Sequence, residues 1–170
     1  MEDAREMFED LLKYQDDNPA VLLALGSVYK SLNQMENALN CVMMSIRLDD
    51  DKFYAHYLLG SIYRGLGNRE LAEQSFKKAI SLNPEDAFSQ YSLGVLYKNT
   101  GRVPQAIKAF SQAIELDSDD AYSHSHLGLS FYEQGQIDEA IASLQRAVEI
   151  NPEDTYTLYN LGVAYLDKHA

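Results

Sequence analysis

The sequence has little cysteine and few basic residues. Cys41 is the only cysteine among 170 residues, which excludes an internal disulfide framework and any cysteine-rich zinc module. Lysine and arginine total 14 against 26 aspartate and glutamate residues, so the formal net charge is −12. A chain this acidic would repel a phosphate backbone, which argues against nucleic acids and against anionic membranes as partners.

Long apolar runs are also missing. No stretch approaches the roughly 18 apolar residues that a membrane-spanning helix needs, and the acidic start Met1-Glu2-Asp3 lacks the basic and apolar segments of a secretory signal. Apolar residues make up 46% of the chain and charged residues 24%, as in globular domains rather than disordered ones. We therefore expect a soluble, intracellular and cytoplasmic protein.

What the sequence does contain is a repeat with a period of 34 residues. A Leu-Gly pair recurs five times at this spacing, and an aromatic residue follows each glycine by three positions. The pairs are Leu25-Gly26, Leu59-Gly60, Leu93-Gly94, Leu127-Gly128 and Leu161-Gly162. The aromatic residues are Tyr29, Tyr63, Tyr97, Phe131 and Tyr165. A fixed period between 20 and 50 residues indicates a solenoid or array.

The second half of each repeat carries an alanine and, four residues later, a bulky apolar side chain. These pairs are Ala38 and Val42, Ala72 and Phe76, Ala106 and Phe110, and Ala140 and Leu144. Two apolar runs at helical spacing, separated by a breaker such as Gly67-Asn68, predict two helices per repeat. Glycine inside a helix costs about 1 kcal/mol relative to alanine, so its recurrence predicts that two helices cross closely there. One helix pair cannot bury both of its apolar faces, so neighbouring repeats must stack.

The order L-G-x-x-Y, then A-x-x-x-F, then the proline of Asn83-Pro84 or Asn151-Pro152, resembles the tetratricopeptide repeat (TPR) family over the whole chain. The resemblance implies an all-α, right-handed α-α superhelix of antiparallel helix pairs, with the first helix of each pair lining a concave face. With the glycine as position 8, we expect a single array over 1–170. It contains a lone second helix at 1–18, full repeats at 19–52, 53–86, 87–120 and 121–154, and a lone first helix at 155–170.

In this family the concave face is the usual binding surface, with ligand contacts often at positions 2, 5, 9, 12 and 13. The spacing of positions 2, 5, 9 and 12 places them on one helix face, which we call the first-helix stripe. On this stripe the resemblance implies a partner-binding groove. Its aromatic members are Tyr54, Tyr57, Phe88, Tyr91, Tyr122, Tyr132, Tyr156 and Tyr159, and its basic members are Lys30, Arg64 and Lys98.

Exposed tyrosines suit recognition of a peptide or helix, and a basic row could steer an acidic ligand. Two structural readings stay open. Tyrosine is frequent at position 5 in this family, and position 2 can pack on the neighbouring repeat. The helix dipole by itself also favours a cation near the end of each first helix.

One known family activity is not expected. Co-chaperone members hold a C-terminal carboxylate with lysine at position 5 and asparagine at position 9, among other residues. Here position 5 carries Leu23 or Tyr57 in the first two repeats, and position 2 never carries lysine. The carboxylate clamp is therefore absent, and chaperone C-terminal tails are not expected as partners.

Catalytic motifs are absent as well. The sequence has no H-E-x-x-H, no phosphate-binding glycine loop and no G-x-S-x-G. Core or interface positions are expected for the four histidines, His56, His124, His126 and His169. We predict a protein that is not an enzyme, with no catalytic residue, metal or cofactor.

The predicted lone helices at the two ends leave alternatives to groove binding. The chain could be a piece of a longer array. It could be a structural assembly protein that self-associates head-to-tail through uncapped terminal helices. It could also be the substrate-recruiting region of a larger enzyme. The sequence does not identify a partner, because TPR arrays bind many unrelated ones.

Overall fold

A computed structural model describes residues 2–12 and 18–169, which form ten α-helices and contain no strand. The helices are α1 (Glu2–Leu12), α2 (Pro19–Ser31), α3 (Met35–Leu48), α4 (Phe53–Gly65), α5 (Arg69–Leu82), α6 (Ala87–Asn99), α7 (Val103–Leu116), α8 (Ala121–Glu133), α9 (Ile137–Ile150) and α10 (Thr155–Lys168). The predicted all-α fold is confirmed. Part of the predicted helix at 1–18, residues 13–17, lies outside the described residues. No described helix has both the length and the apolar character needed to cross a bilayer.

The chain divides into two compact units, Met1–Pro84 and Glu85–Ala170. In the first unit, α2 packs on α3 and α4 packs on α5, while α1 lies against α2. In the second unit, α6 packs on α7 and α8 packs on α9, and α10 lies against α9. Each first helix that has a second helix in its own repeat therefore packs most extensively on that helix.

Aspartates cap the first helices of the second unit. The side chains of Asp86, Asp120 and Asp154 accept hydrogen bonds from backbone N–H groups in the first turns of α6, α8 and α10. In the first unit, Asn18 caps α2 in the same way, and Pro19 follows at the first helical position. Such a cap contributes about 1 kcal/mol to helix stability.

The turn inside each helix pair uses one left-handed residue at the same repeat position. Gly67, Gly101 and Gly135 have φ angles of +78°, +73° and +75°, and Asn33 has +60°. The N–H of the next residue returns to the first helix: Asn68 N lies 2.9 Å from the carbonyl oxygen of Tyr63. Glycine adopts this conformation without steric cost, and asparagine is among the residues that tolerate it.

The recurring glycine marks the closest approach of each helix pair. A Cβ added at Gly26, Gly60, Gly94 or Gly128 would lie 2.7 Å from a side-chain carbon of Val42, Phe76, Phe110 or Leu144, respectively. The predicted close crossing is therefore confirmed in four repeats. Gly162 on α10 differs, because no described neighbour would lie within 4 Å of its Cβ.

The buried side chains come mainly from the faces that the repeat pattern predicts. One cluster, in the first unit, comprises Ala38, Val42, Leu58 and Ile62, and another, in the second unit, comprises Ile141, Leu144 and Ala164. His56 is also buried, and its Nε2 lies 2.9 Å from Asp50 Oδ1 and 3.1 Å from the Asp50 carbonyl oxygen. His169 is exposed, so it is not a core residue of this chain.

Candidate partner-binding surface

In the first unit, the stripe aromatics Tyr54 and Tyr57 lie on one face of α4. Their ring centroids are 5.8 Å apart with an interplanar angle of 27°. Tyr57 also meets the buried ring of Phe76 on α5 at 6.1 Å, whereas Tyr54 is 43% exposed. Tyr57 is therefore anchored on the core, and Tyr54 presents apolar area and a hydroxyl to solvent.

Two cations lie at the ends of α2 and α4. Lys30 is in the last turn of α2 and Arg64 in the last turn of α4, and both are half-buried. The Arg64 guanidinium carbon lies 6.0 Å from the centre of the Phe76 ring, a cation–π arrangement. Burial lowers the pKa of Lys30, and the positive charge of Arg64 lowers it further. No carboxylate of the described residues forms an ion pair with either cation.

The third basic member of the stripe has a different environment. Lys98 Nζ on α6 lies 2.6 Å from Glu133 Oε1 at the end of α8, and its side chain is 20% exposed. Its charge is therefore compensated within the second unit. Glu133 was not among the residues that the sequence pattern singled out.

In the second unit, the stripe residue Tyr91 is part of an aromatic cluster. Its ring lies 5.8 Å from Phe110 and 5.5 Å from His126, and His126 stacks on Phe110 at 5.4 Å with an interplanar angle of 19°. Nδ1 of His126 is buried without a hydrogen-bond partner. Burial lowers the pKa of His126, the charge of Lys98 lowers it further, and Asp120 opposes both effects.

Sequence reasoning did not place His126 in this cluster. The residue lies at position 6, one place beyond the stripe position of Ser125, and no periodic signal marks it. Its expected role as a core or interface histidine agrees with its partial burial.

Four other aromatic members of the stripe are largely exposed in the second unit. Phe88, Tyr122, Tyr156 and Tyr159 each keep at least 61% of their surface accessible. Packing on neighbouring helices within this unit therefore leaves most of their rings free. The first helices of the second unit therefore present these four aromatic rings to solvent.

Two stripe positions are already satisfied by the following repeat. The Tyr132 hydroxyl donates a hydrogen bond to Asp167 on α10, and this bond raises the pKa of Tyr132. Ser125 is buried, and its Oγ lies 2.7 Å from Thr157 Oγ1. The stripe is therefore not equally available along its length.

Reactive groups are few in the part of the chain that the structure describes. Cys41 is half-buried; burial raises the pKa of its thiol, and the charge of Glu9 raises it further. A raised pKa disfavours the thiolate, which is the nucleophilic form. Among residues 2–12 and 18–169, no group of histidine, cysteine and carboxylate side chains is arranged to hold a metal ion.

Three solved structures have a fold similar to that of this chain. MamA is 26% identical with a TM-score of 0.81, and the match covers 89% of each chain. A thermophilic TPR protein of Thermus thermophilus is 25% identical with a TM-score of 0.75, covering 95% of this chain and 89% of that one. YrrB, described as a TPR protein with an unusual peptide-binding site, is 24% identical with a TM-score of 0.81, covering 97% and 85%. No curated protein sequence matches the chain significantly.

Family models place the repeats along the sequence. Models described as tetratricopeptide repeat match residues 19–52, 53–86 and 75–108, and a model described as TPR repeat matches residues 97–135 and 128–168. Together these matches extend from residue 19 to residue 168. The chain belongs to the tetratricopeptide repeat family.

Proposed function

We propose that this protein is a non-catalytic scaffold or adaptor that binds a segment of a protein partner through the first-helix stripe. Proteins of this family are generally interaction modules without catalytic activity. The observation that carries the proposal is the exposure of Phe88, Tyr122 and Tyr156, one ring on each first helix of the second unit. Apolar rings that a fold leaves in solvent at a regular spacing are typical of interaction surfaces.

The charge and the composition of the chain favour a polypeptide as the partner. The net charge of −12 disfavours nucleic acids and anionic membranes, so the proposed ligand is a polypeptide. The proposed location is the cytoplasm. Chaperone C-terminal tails are not proposed as ligands, because the stripe lacks the lysines and asparagines of a carboxylate clamp.

The test begins with a selection from a displayed library of random peptides of about 12 residues. An extended peptide of this length is long enough to span several first helices. The affinities of the selected peptides for the protein are then measured. The double variant Phe88→Ala with Tyr122→Ala should bind them at least about tenfold more weakly, because exposed aromatic rings dominate such interfaces. Both side chains are mostly exposed, so circular dichroism should show an unchanged fold.

The matched control is Leu116→Ala at the end of α7, which removes an apolar side chain that is 40% exposed on a second helix. Its affinities should equal those of the wild-type protein. Equal affinities for the folded double variant would contradict the proposal, as would equal losses in the double variant and in Leu116→Ala.

A second candidate function, head-to-tail self-association, is favoured by the surroundings of Gly162. A side chain of the following helix packs on each of the four equivalent glycines, but no described side chain packs on Gly162. Leu158 on the same helix is 42% exposed. Phe8 on α1 stands in the register of Phe76 and Phe110, which fill that space elsewhere. The proposed occupant is therefore α1 of a second copy.

Sedimentation over a range of concentrations tests this candidate. The mass should rise above 19.2 kDa with concentration and return to that value in Leu158→Glu. Leu166→Glu is the control, since Leu166 lies on the stripe of the same helix, and it should leave assembly unchanged. A constant mass for the wild-type protein would exclude self-association.

A further inference from the structure

We propose that the ends of α2 and α4 form a carboxylate-binding site, in which Lys30 and Arg64 together bind an acidic group of the partner. This inference rests on the proposed function, because it names the chemistry of the segment that the stripe would bind. It concerns the first unit alone.

The positive charges of Lys30 and Arg64 are not compensated by a described carboxylate. The first unit carries more acidic than basic residues, yet no described carboxylate pairs with Lys30 or Arg64. Lys30 and Arg64 are both half-buried and lie in the last turns of α2 and α4, two first helices that contact each other. Two neighbouring cations repel each other, and partial burial weakens the screening by water, so an anion between them is favoured.

The second evidence is an internal example of the same contact in the second unit. Lys98 holds the same repeat position as Lys30, and it receives the carboxylate of Glu133 at 2.6 Å. Glu133 lies 35 residues after Lys98, at the end of the next first helix. The residue at the same distance after Lys30 is Gly65, which has no side chain. At the repeat position from which Glu133 reaches Lys98, the first unit therefore has no carboxylate, and the neighbouring side chain there is that of Met35.

The third evidence is the way the second cation is held. The Arg64 guanidinium carbon lies 6.0 Å from the centre of the fully buried Phe76 ring, and this cation–π attraction favours a position of the guanidinium over the ring. One turn earlier on the same helix face, Ser61 has a buried hydroxyl without a hydrogen-bond partner. Arg64 therefore lies near an aromatic ring and a neutral hydroxyl, and no described anion competes with a ligand for its charge.

The carboxylate could belong to an acidic side chain or to a free C-terminus, and three probes separate these sources. They are a tetraglutamate peptide blocked at both ends, the blocked tetraglutamine peptide, and tetraglutamine with a free C-terminal carboxylate. Binding is followed on the full chain by the NMR signals of the Lys30 Cε–H and Arg64 Nε–H groups. We expect tetraglutamate to shift both signals and to bind at least about fivefold more tightly than blocked tetraglutamine.

Lys30→Met should abolish the preference for the carboxylate probes. Lys108→Met is the matched control, because Lys108 lies on a second helix, α7, and its loss changes the net charge equally. Gly65→Glu should also abolish the preference, since it places a carboxylate at the position of Glu133. The added side chain would first meet the flexible end of Met35, whose Cε lies 3.2 Å from a Cβ built at residue 65.

Each result has a defined meaning. If only the free C-terminus shifts Lys30, the site binds a chain end; if blocked tetraglutamate does so, it binds acidic side chains. Equal binding of the three probes, or no shift at Lys30 and Arg64, would overturn the site. The proposed function has a separate readout, because it fails only when the Phe88 and Tyr122 variants leave peptide affinity unchanged.

Discussion

Gly60 on α4 and Phe76 on α5 approach so closely that a Cβ on Gly60 would lie 2.7 Å from Phe76 Cδ1. The Phe76 ring is fully buried and cannot move aside freely. Gly60→Ala should therefore lower the free energy of unfolding by about 1–3 kcal/mol, as overpacking of a tight core does. Chemical denaturation of the variant and the wild-type protein measures the difference.

Gly162→Ala is the matched substitution at the same repeat position. No described neighbour would lie within 4 Å of the added Cβ, and alanine is favoured over glycine in a helix by about 1 kcal/mol. This variant should therefore be as stable as the wild-type protein or slightly more stable. Equal destabilisation by both substitutions would show that close packing is not what requires the glycine.

Asn33 is the one non-glycine residue with a positive φ in the described chain, at +60°. Asn33→Gly should raise the free energy of unfolding by about 0.5 kcal/mol, because glycine adopts this conformation without a clash of its Cβ. The reverse change, Gly101→Asn at the same repeat position, should be destabilising. Thermal unfolding of the two variants checks the sign, and a loss of stability in Asn33→Gly would contradict the explanation.

Tyr29 on α2 donates a hydrogen bond to Glu9 on α1, with 2.5 Å between Tyr29 Oη and Glu9 Oε1, and this bond raises the pKa of Tyr29 to about 12. In the unfolded chain a tyrosine ionises with a pKa of about 10. The contribution of this bond is therefore complete below about pH 10 and is lost as the pH rises towards about 12.

The difference in phenolate absorbance between the wild-type protein and Tyr29→Phe isolates this one tyrosine. We expect its midpoint well above the value of about 10 for a free tyrosine. A midpoint at the free value would show that the bond between α1 and α2 does not form in solution.

His126 is expected to titrate below its ordinary value, because burial and the charge of Lys98 lower its pKa. In the unfolded chain histidine binds this proton more readily, with a pKa of about 6.5. The stability contribution of neutral His126 is therefore present above about pH 6.5 and is lost as the pH falls from there towards the folded pKa.

The NMR titration of the His126 imidazole measures the midpoint directly. Lys98→Met should raise that midpoint, because it removes a cation and leaves Glu133 without its partner. An unchanged midpoint in Lys98→Met would exclude the electrostatic part of the explanation.

The sequence by itself determined the repeating helix pairs. The turn at Gly67 and the crossing at Gly60 both depend on contacts within one period of 34 residues, so each leaves a periodic mark in the sequence. The caps Asp86, Asp120 and Asp154 are local in the same sense. Local conformational preferences and helical periodicity were therefore enough to predict that the helices form pairs, and where the pairs turn and cross.

Only the tertiary structure decided which stripe residues are available to a ligand. Lys98 is neutralised by Glu133, and Tyr132 is bonded to Asp167, in each case by a residue 35 positions further along. Lys30 and Arg64 have the same repeat position as Lys98 but no such partner among the described residues. These differences depend on the distance between neighbouring first helices and on how the side chains between them are oriented. A single polar residue on the next helix leaves no periodic signal in the sequence. The repeat pattern that predicts the fold therefore does not predict which charged stripe residues lack an ion-pair partner.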